Sequence, residues 1–320
     1  MVTSNKSDRK FDDKFKIRYL KPKYWFSWIG ILFLGVLAFT PICFRNFLAS
    51  FISSSLCWVN IKFKRVVMTN FRLAFPEMTK AEKEKLYKDF LRVGLKIILG
   101  YGDAFFRSKD YMLSRYSIKG QEYYEEAIAT NKPIIFLAPH FWAIDKVGPI
   151  IITLGTSLTT MMHTSKNEVY DYFMNKMRLI FGGKVYERGA GLKSIIRVLK
   201  GGEHTFFLPD EDLGRANSVF VDFFATKKST LMTLSKLSKL SGAIVVPILS
   251  RYDEKEDKYE LVFNKLLEDY PSGDDVADAA RMNKSIEELV LRGKEQYMWF
   301  LKYYKTRPED EEQHVYSKMQ

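Results

Sequence analysis

The residues best suited to chemistry stand together at Pro139-His140-Phe-Trp-Ala-Ile-Asp145, directly after the apolar run Pro133–Ala138. A histidine at the end of a strand opens onto a cleft, and a carboxylate five residues on can reach back from the next turn. In such a pair the carboxylate fixes the imidazole tautomer and stabilises its cation, while the imidazole takes the proton of an attacking hydroxyl. Taken alone, His-x4-Asp arises easily by chance, and a satisfied structural histidine is the ordinary alternative. Arg188 follows the tight turn Gly182-Gly183 and the short run Lys184–Tyr186. A guanidinium there can clamp a phosphate bidentately; a plain surface arginine is the competing reading. Asp210-Glu211-Asp212 can bind a hard cation, or cap and salt-bridge its surroundings.

Other chemistries are disfavoured. There is no Gly-x-Ser-x-Gly nucleophile elbow, and Cys43 and Cys57 lie in an apolar segment where a thiolate is disfavoured. The four histidines, His140, His163, His204 and His314, are scattered, with no His-Glu-x-x-His and no cysteine pairing, so no metal is expected. No Walker loop or Gly-x-Gly-x-x-Gly follows a strand, so no nucleotide cofactor is expected.

These groups need a scaffold. From residue 120 short apolar runs alternate with helical patterns. The runs Pro133–Ala138, Leu158–His163, Lys184–Tyr186, Thr205–Leu208, Phe220–Phe224, Ala243–Leu249 and Tyr259–Phe263 predict strands. Val169–Phe181, Leu192–Leu199, Thr230–Leu240, Asp275–Leu291 and Lys294–Tyr304 predict helices. This alternation is an α/β pattern with a parallel or mixed sheet, whose site lies where strand ends meet helix N-termini. Upstream, Thr79-Lys-Ala-Glu82 is a capping box opening an amphipathic helix to about Phe106.

The charge is unevenly placed. The chain has 320 residues and a formal net charge of +12. Residues 1–119 hold 23 Lys+Arg against 9 Asp+Glu, while residues 120–320 hold 27 against 29. Within the basic third, Tyr24–Phe44 is an uncharged apolar stretch of 21 residues, long enough to span or deeply enter a bilayer. Lipid explains the basicity better than nucleic acid, for which no binding signature is present. A weaker apolar run, Phe47–Ile61, can be the return leg of a hairpin hinged near Pro41, so a single span and a re-entrant hairpin both stay open. The organisation read from these features is a basic arm (1–23), a membrane-inserted segment (24–61), an amphipathic membrane-proximal region (62–119), a catalytic domain (120–310) and a tail (311–320).

Taken in order, His140-x4-Asp145, Gly182-x-x-Val185-Tyr186-x-Arg188, the acidic turn Asp210–Asp212 and Val246-Pro247-Ile248 resemble the four blocks of glycerolipid acyltransferases. Within that superfamily, three further stretches are similar to the late (secondary) lipid A acyltransferases. They are Leu208-Pro-Asp-Glu-Asp-Leu-Gly214, Val219-Phe-Val-Asp-Phe-Phe-Ala-Thr226, and Glu295-Gln-Tyr-Met-Trp299 leading to Lys305-Thr-Arg307-Pro308. The second of these, with Tyr19–Trp25, looks like the myristoyl-transferring branch. The third block departs from the superfamily's usual Pro-Glu-Gly-Thr-type turn.

The resemblance implies a single acyltransferase domain with a central mixed sheet flanked by helices, plus an N-terminal hydrophobic anchor. It implies that His140 is the general base and that Asp145 orients it. It further implies that a hydroxyl of a 3-hydroxyacyl chain attacks an acyl carrier protein thioester directly. Arg188, with Asp210, Glu211 and Asp212, would then bind and shape the lipid A precursor. No cofactor is implied, the thioester being a substrate. The implied setting is the bacterial inner membrane, with the catalytic domain on its cytoplasmic face and the acidic carrier protein as partner. Lys227, Lys228, Lys236 and Lys239 can form its docking patch, or be ordinary solvated lysines. A lysophospholipid acyltransferase of the same superfamily is the alternative.

Overall fold

A computed structural model describes residues 11, 14–57, 59, 62–188 and 191–317. Lys6, Arg9 and Lys10 of the basic arm, the last residues of the expected return leg and the end of the tail lie outside the described residues. The strands are β1 (Tyr116–Lys119), β2 (Ile134–Leu137), β3 (Leu158–Met162), β4 (Lys184–Glu187), β5 (His204–Phe207), β6 (Ser218–Phe223), β7 (Thr226–Leu231), β8 (Ile244–Asp253) and β9 (Lys258–Phe263). Seven of them form one sheet in the order β1-β9-β8-β2-β5-β3-β4, while β6 and β7 form a separate hairpin. Only β8 and β9 pair antiparallel within the main sheet; its other neighbours are parallel. The result is an α/β fold with a central mixed sheet flanked by helices. The central strand β2, Ile134-Ile-Phe-Leu137, is buried throughout, as an all-apolar strand covered on both faces should be.

The helices are α1 (Trp25–Ala38), α2 (Ile42–Cys57), α3 (Lys62–Ala74), α4 (Lys80–Leu99), α5 (Gly102–Phe106), α6 (Lys109–Ser114), α7 (Gln121–Ala129), α8 (Ile144–Val147), α9 (Glu168–Arg178), α10 (Leu192–Lys200), α11 (Thr233–Ser241) and α12 (Asp275–Leu291). The capping box opens α4 as expected. Glu82 N donates to Thr79 Oγ1 at 3.2 Å, and Thr79 N donates to the Glu82 carboxylate at 2.7 Å.

The expected span Tyr24–Phe44 is not one helix. The chain breaks at Phe39-Thr40-Pro41, between α1 and α2. A proline lacks the N–H the ladder needs, and it pushes the residue before it out of helical geometry. The freed carbonyls are taken locally: Thr40 N and Thr40 Oγ1 both donate to Leu37 O. Among the described residues no single helix is long and apolar enough to cross a membrane. The apolar surface is nonetheless large. Trp25, Phe26, Ile29, Leu32 and Val36 of α1 are exposed, as are Phe44, Phe47 and Phe51 of α2.

What holds α1 and α2 to the sheet domain is specific. Arg45 of α2 is buried and donates to Asp103 of α5 at 2.8 Å. Lys146, fully buried on α8, lies 3.6 Å from the same carboxylate and donates to Gly100 O and to Tyr259 Oη. The helix expected from Thr79 to Phe106 is broken after Leu99, which lets α5 turn against α1. Gly102 makes that contact possible, because a Cβ there would stand 2.1 Å from the Leu34 carbonyl oxygen.

Several elements differ from the sequence expectation, the helices α7 and α8 among them. β1 and β7 were not anticipated, since Thr-Lys-Lys-Ser-Thr-Leu (226–231) carries no apolar alternation. The helix predicted over Lys294–Tyr304 is only a 3-10 turn, Lys294–Gln296. After it the chain runs extended and bonds to the loop beyond β2: Met298 N donates to His140 O at 2.7 Å, and Trp142 N donates to Gln296 O at 2.9 Å. Gly102→Ala is expected to lower stability by about 1–3 kcal/mol through overpacking against backbone, read as a lower urea midpoint; an unchanged midpoint would contradict the contact.

Candidate active site

The site follows from strand register. In the parallel pair β2/β5, Leu137 is opposite Phe207. Three residues beyond each of these stand His140 and Asp210. His140 Nδ1 lies 2.5 Å from Asp210 Oδ1, and His140 N donates to Asp210 Oδ2 at 2.8 Å. Tyr297 Oη, brought by the extended C-terminal segment, donates to the same Oδ2 at 2.9 Å. A carboxylate bonded to Nδ1 places the ring proton there and leaves Nε2 as the basic nitrogen. Nε2 lies 3.9 Å from Glu211 Oε1, and His140 and Glu211 both line the main cavity.

Electrostatics reinforce the pairing. Burial disfavours the His140 cation, but the charge and hydrogen bond of Asp210, with Glu211 and Asp145, outweigh it and raise the His140 pKa. Burial likewise pushes the Asp210 carboxyl up, while the His140 charge, the bonds from His140 and the Tyr297 hydroxyl bring it below its ordinary value.

Asp145 is not the carboxylate that orients His140. It sits on α8, facing α9, and Arg178 Nε takes its Oδ1 at 2.5 Å. Arg178 also contacts Met162 Sδ. Asp145 remains in the cavity wall and acts on His140 through its charge. The expected pairing across His-x4-Asp is thus replaced by one with a residue 70 positions away.

Arg188 and Glu211 are brought together in the cavity wall, Nη1 to Oε2 at 2.9 Å. Asp210 and Asp212 do not line the cavity. Asp210 is wholly buried behind His140. Asp212 is buried too, accepting from Thr306 N at 2.6 Å and Gly214 N at 3.0 Å, which makes it the clasp between the acidic turn and the C-terminal segment. Lys228 is fully buried and cannot be part of a docking patch, while Lys227, Lys236 and Lys239 are exposed. Lys236 is also at the cavity wall.

The cavity has a volume of about 1220 Å³. Its walls are largely apolar, with Ile31 and Leu34 from α1, Ile152, Leu158, Phe173 and Leu179 among them. That exceeds the roughly 300–1,000 Å³ of ordinary small-molecule sites. Among the described residues no group of three or more His, Cys, Asp or Glu is placed to hold a metal ion. A histidine so paired, lining an apolar chamber, can take the proton of a hydroxyl. Sequence reasoning missed Tyr297 and Arg178 as site residues. The only signal for Tyr297 was its place in the quoted Glu295–Trp299 run.

The comparisons agree along most of the chain. A family model described as bacterial lipid A biosynthesis acyltransferase matches residues 12–306. A Haemophilus influenzae protein named lipid A biosynthesis acyltransferase is 37% identical over 306 residues, covering 94% of each chain. The Escherichia coli K12 lipid A biosynthesis myristoyltransferase is 32% identical over 306 residues, covering 96% of this chain and 95% of its own. The lauroyltransferase of the same organism is 30% identical over 305 residues, covering 92% and 96%. With a histidine–carboxylate pair opening on an apolar chamber, and with sequence identity of this extent, the chain belongs to the bacterial lipid A biosynthesis acyltransferases and is an acyltransferase of lipid A synthesis.

Proposed function

We propose that the protein moves a fatty acyl chain, myristoyl or lauroyl, from an acyl carrier protein thioester to a hydroxyl on a 3-hydroxyacyl chain of a lipid A precursor. The observation that carries this reading is the His140 ring, held on Asp210 through Nδ1 and lining the apolar chamber. The hydroxyl oxygen attacks the thioester carbon and its proton passes to His140 Nε2. The tetrahedral adduct then collapses, the C–S bond breaks, and the proton goes on to the departing thiolate. No acyl-enzyme forms. Arg188, exposed at the wall, supplies a cation for a phosphate of the precursor. Lys236 and Lys239 on α11 suit an acidic carrier protein at the rim.

The setting we propose is the cytoplasmic face of the bacterial inner membrane. Its support is the exposed apolar face of α1 and α2 together with the basic first third. Apolar surface of this extent buries favourably in lipid. The inner side of α1 lines the chamber, so a lipid substrate need not leave the surface layer to reach His140.

Three outcomes are expected. Purified protein given acyl carrier protein thioester and lipid A precursor yields a singly acylated product by mass spectrometry, and His140→Ala lowers the rate by several orders of magnitude. Labelling of a lysophospholipid alone would overturn the acceptor assignment. Asp210→Asn costs about 10³–10⁴ in rate, the scale seen when a catalytic histidine loses its carboxylate, and Asp145→Asn costs much less; the reverse order would return the orienting role to Asp145. Phe26→Asp with Phe47→Asp weakens flotation with anionic vesicles while leaving the melting temperature in place.

A further inference from the structure

Lys228 lies on β7, opposite Val221 of β6. Its side chain is fully buried, and its ammonium has no hydrogen-bond partner among the described residues. It stands 5.3 Å from the centre of the Phe223 ring. An isolated buried ammonium is costly, and a position needing only volume would be filled by a methionine or leucine. The carboxylates whose charge acts on it are Asp210, Asp212 and Glu211, all on the turn after β5. Strand and turn are tied together beside it. Ser229 Oγ donates to Gly214 O at 2.7 Å, and Arg307 Nη1 donates to Lys227 O at 2.6 Å. Burial draws the Lys228 pKa down to about 8, against the pull of the three carboxylates.

The charges around His140 show what this cation is for. Three carboxylates favour its protonated form: Asp210, Glu211 and Asp145. Asp145 is matched by Arg178 and Glu211 by Arg188. Asp210 has no guanidinium; apart from His140 it meets the Tyr297 hydroxyl, with Tyr303 stacked behind that ring at 4.7 Å. Lys228 reaches the same ring cluster: its ammonium lies over Phe223, whose ring centre is 6.2 Å from that of Tyr303, and Asp210 is the carboxylate whose charge acts on it most.

We propose that Lys228 is a positioning residue for the acyl transfer, its buried charge balancing Asp210 so that His140 stays neutral and able to accept the hydroxyl proton. This rests on His140 being the general base. A cation beside the pair favours Asp210 anion with neutral imidazole over Asp210 anion with imidazolium. Removing it therefore raises the pH at which His140 loses its proton.

The test is the pH dependence of kcat/KM in Lys228→Met and Lys228→Arg, with His140→Ala as the control. In Lys228→Met the acid limb moves to higher pH and the rate recovers on the alkaline side, whereas Lys228→Arg keeps the limb where the parent has it. An acid limb that stays in place in Lys228→Met, with only the melting temperature lowered, overturns the proposal. If Lys228→Met is too unstable to assay, Lys228→Gln, which keeps a polar side chain of similar reach but not the charge, must show the same upward shift of the acid limb. A limb left in place in Lys228→Gln also overturns it. Retained activity in His140→Ala would instead sink the general-base reading, a result separable from both.

Discussion

A single buried carboxylate sets the geometry on which the His140 end of the cavity depends. Asp210 receives the His140 ring, the His140 backbone N–H and the Tyr297 hydroxyl. In a dry interior each of these bonds is strong, and each would be costly to lose. The three donors come from two separate stretches of chain, the end of β2 and the segment after Gln296. The carboxylate itself hangs from the end of β5. Folding must therefore complete all three before the histidine is held.

The parallel register of β2 and β5 does the coarse alignment. A slip of one residue would move the partner by about 3.3 Å along the strand and turn its side chain to the other face. That displacement exceeds the whole His140–Asp210 contact. The C-terminal segment does the fine alignment. It bonds to the backbone on both sides of Phe141 through Met298 and Gln296, and it clasps the acidic turn through Thr306 and Asp212. This also explains why Lys294–Tyr304 gives up helical geometry: its backbone groups are committed to the site loops rather than to one another.

Much of this was legible in the sequence, and what was not has physical causes. The seven expected strands all occur, because buried strands are short apolar runs and each had one. β7 was invisible because its burial includes a lysine, a residue that pattern reading assigns to solvent. His140 was found from its place after an apolar strand. The partner of its ring is not visible there, because Asp145 is near in sequence while Asp210 is near in space, and sheet order cannot be read from the spacing of one motif. The N-terminal apolar stretch was read correctly as apolar, but Pro41 divides it into helices too short for the expected span.

Two stripes of α1 answer to different demands. Ser27, Gly30, Ile31 and Leu34 line the chamber, Trp25, Phe26, Ile29, Leu32 and Val36 are exposed, and Phe33 at the boundary does both. One inserted or deleted residue would rotate the remainder of the helix by about 100°. Phenylalanines would swing inward and the chamber lining outward, spoiling both surfaces in one event. Substitutions that keep each stripe apolar thus leave both surfaces intact where a change of length does not. Point substitution, rather than insertion or deletion, is the route by which this wall of the enzyme can diversify.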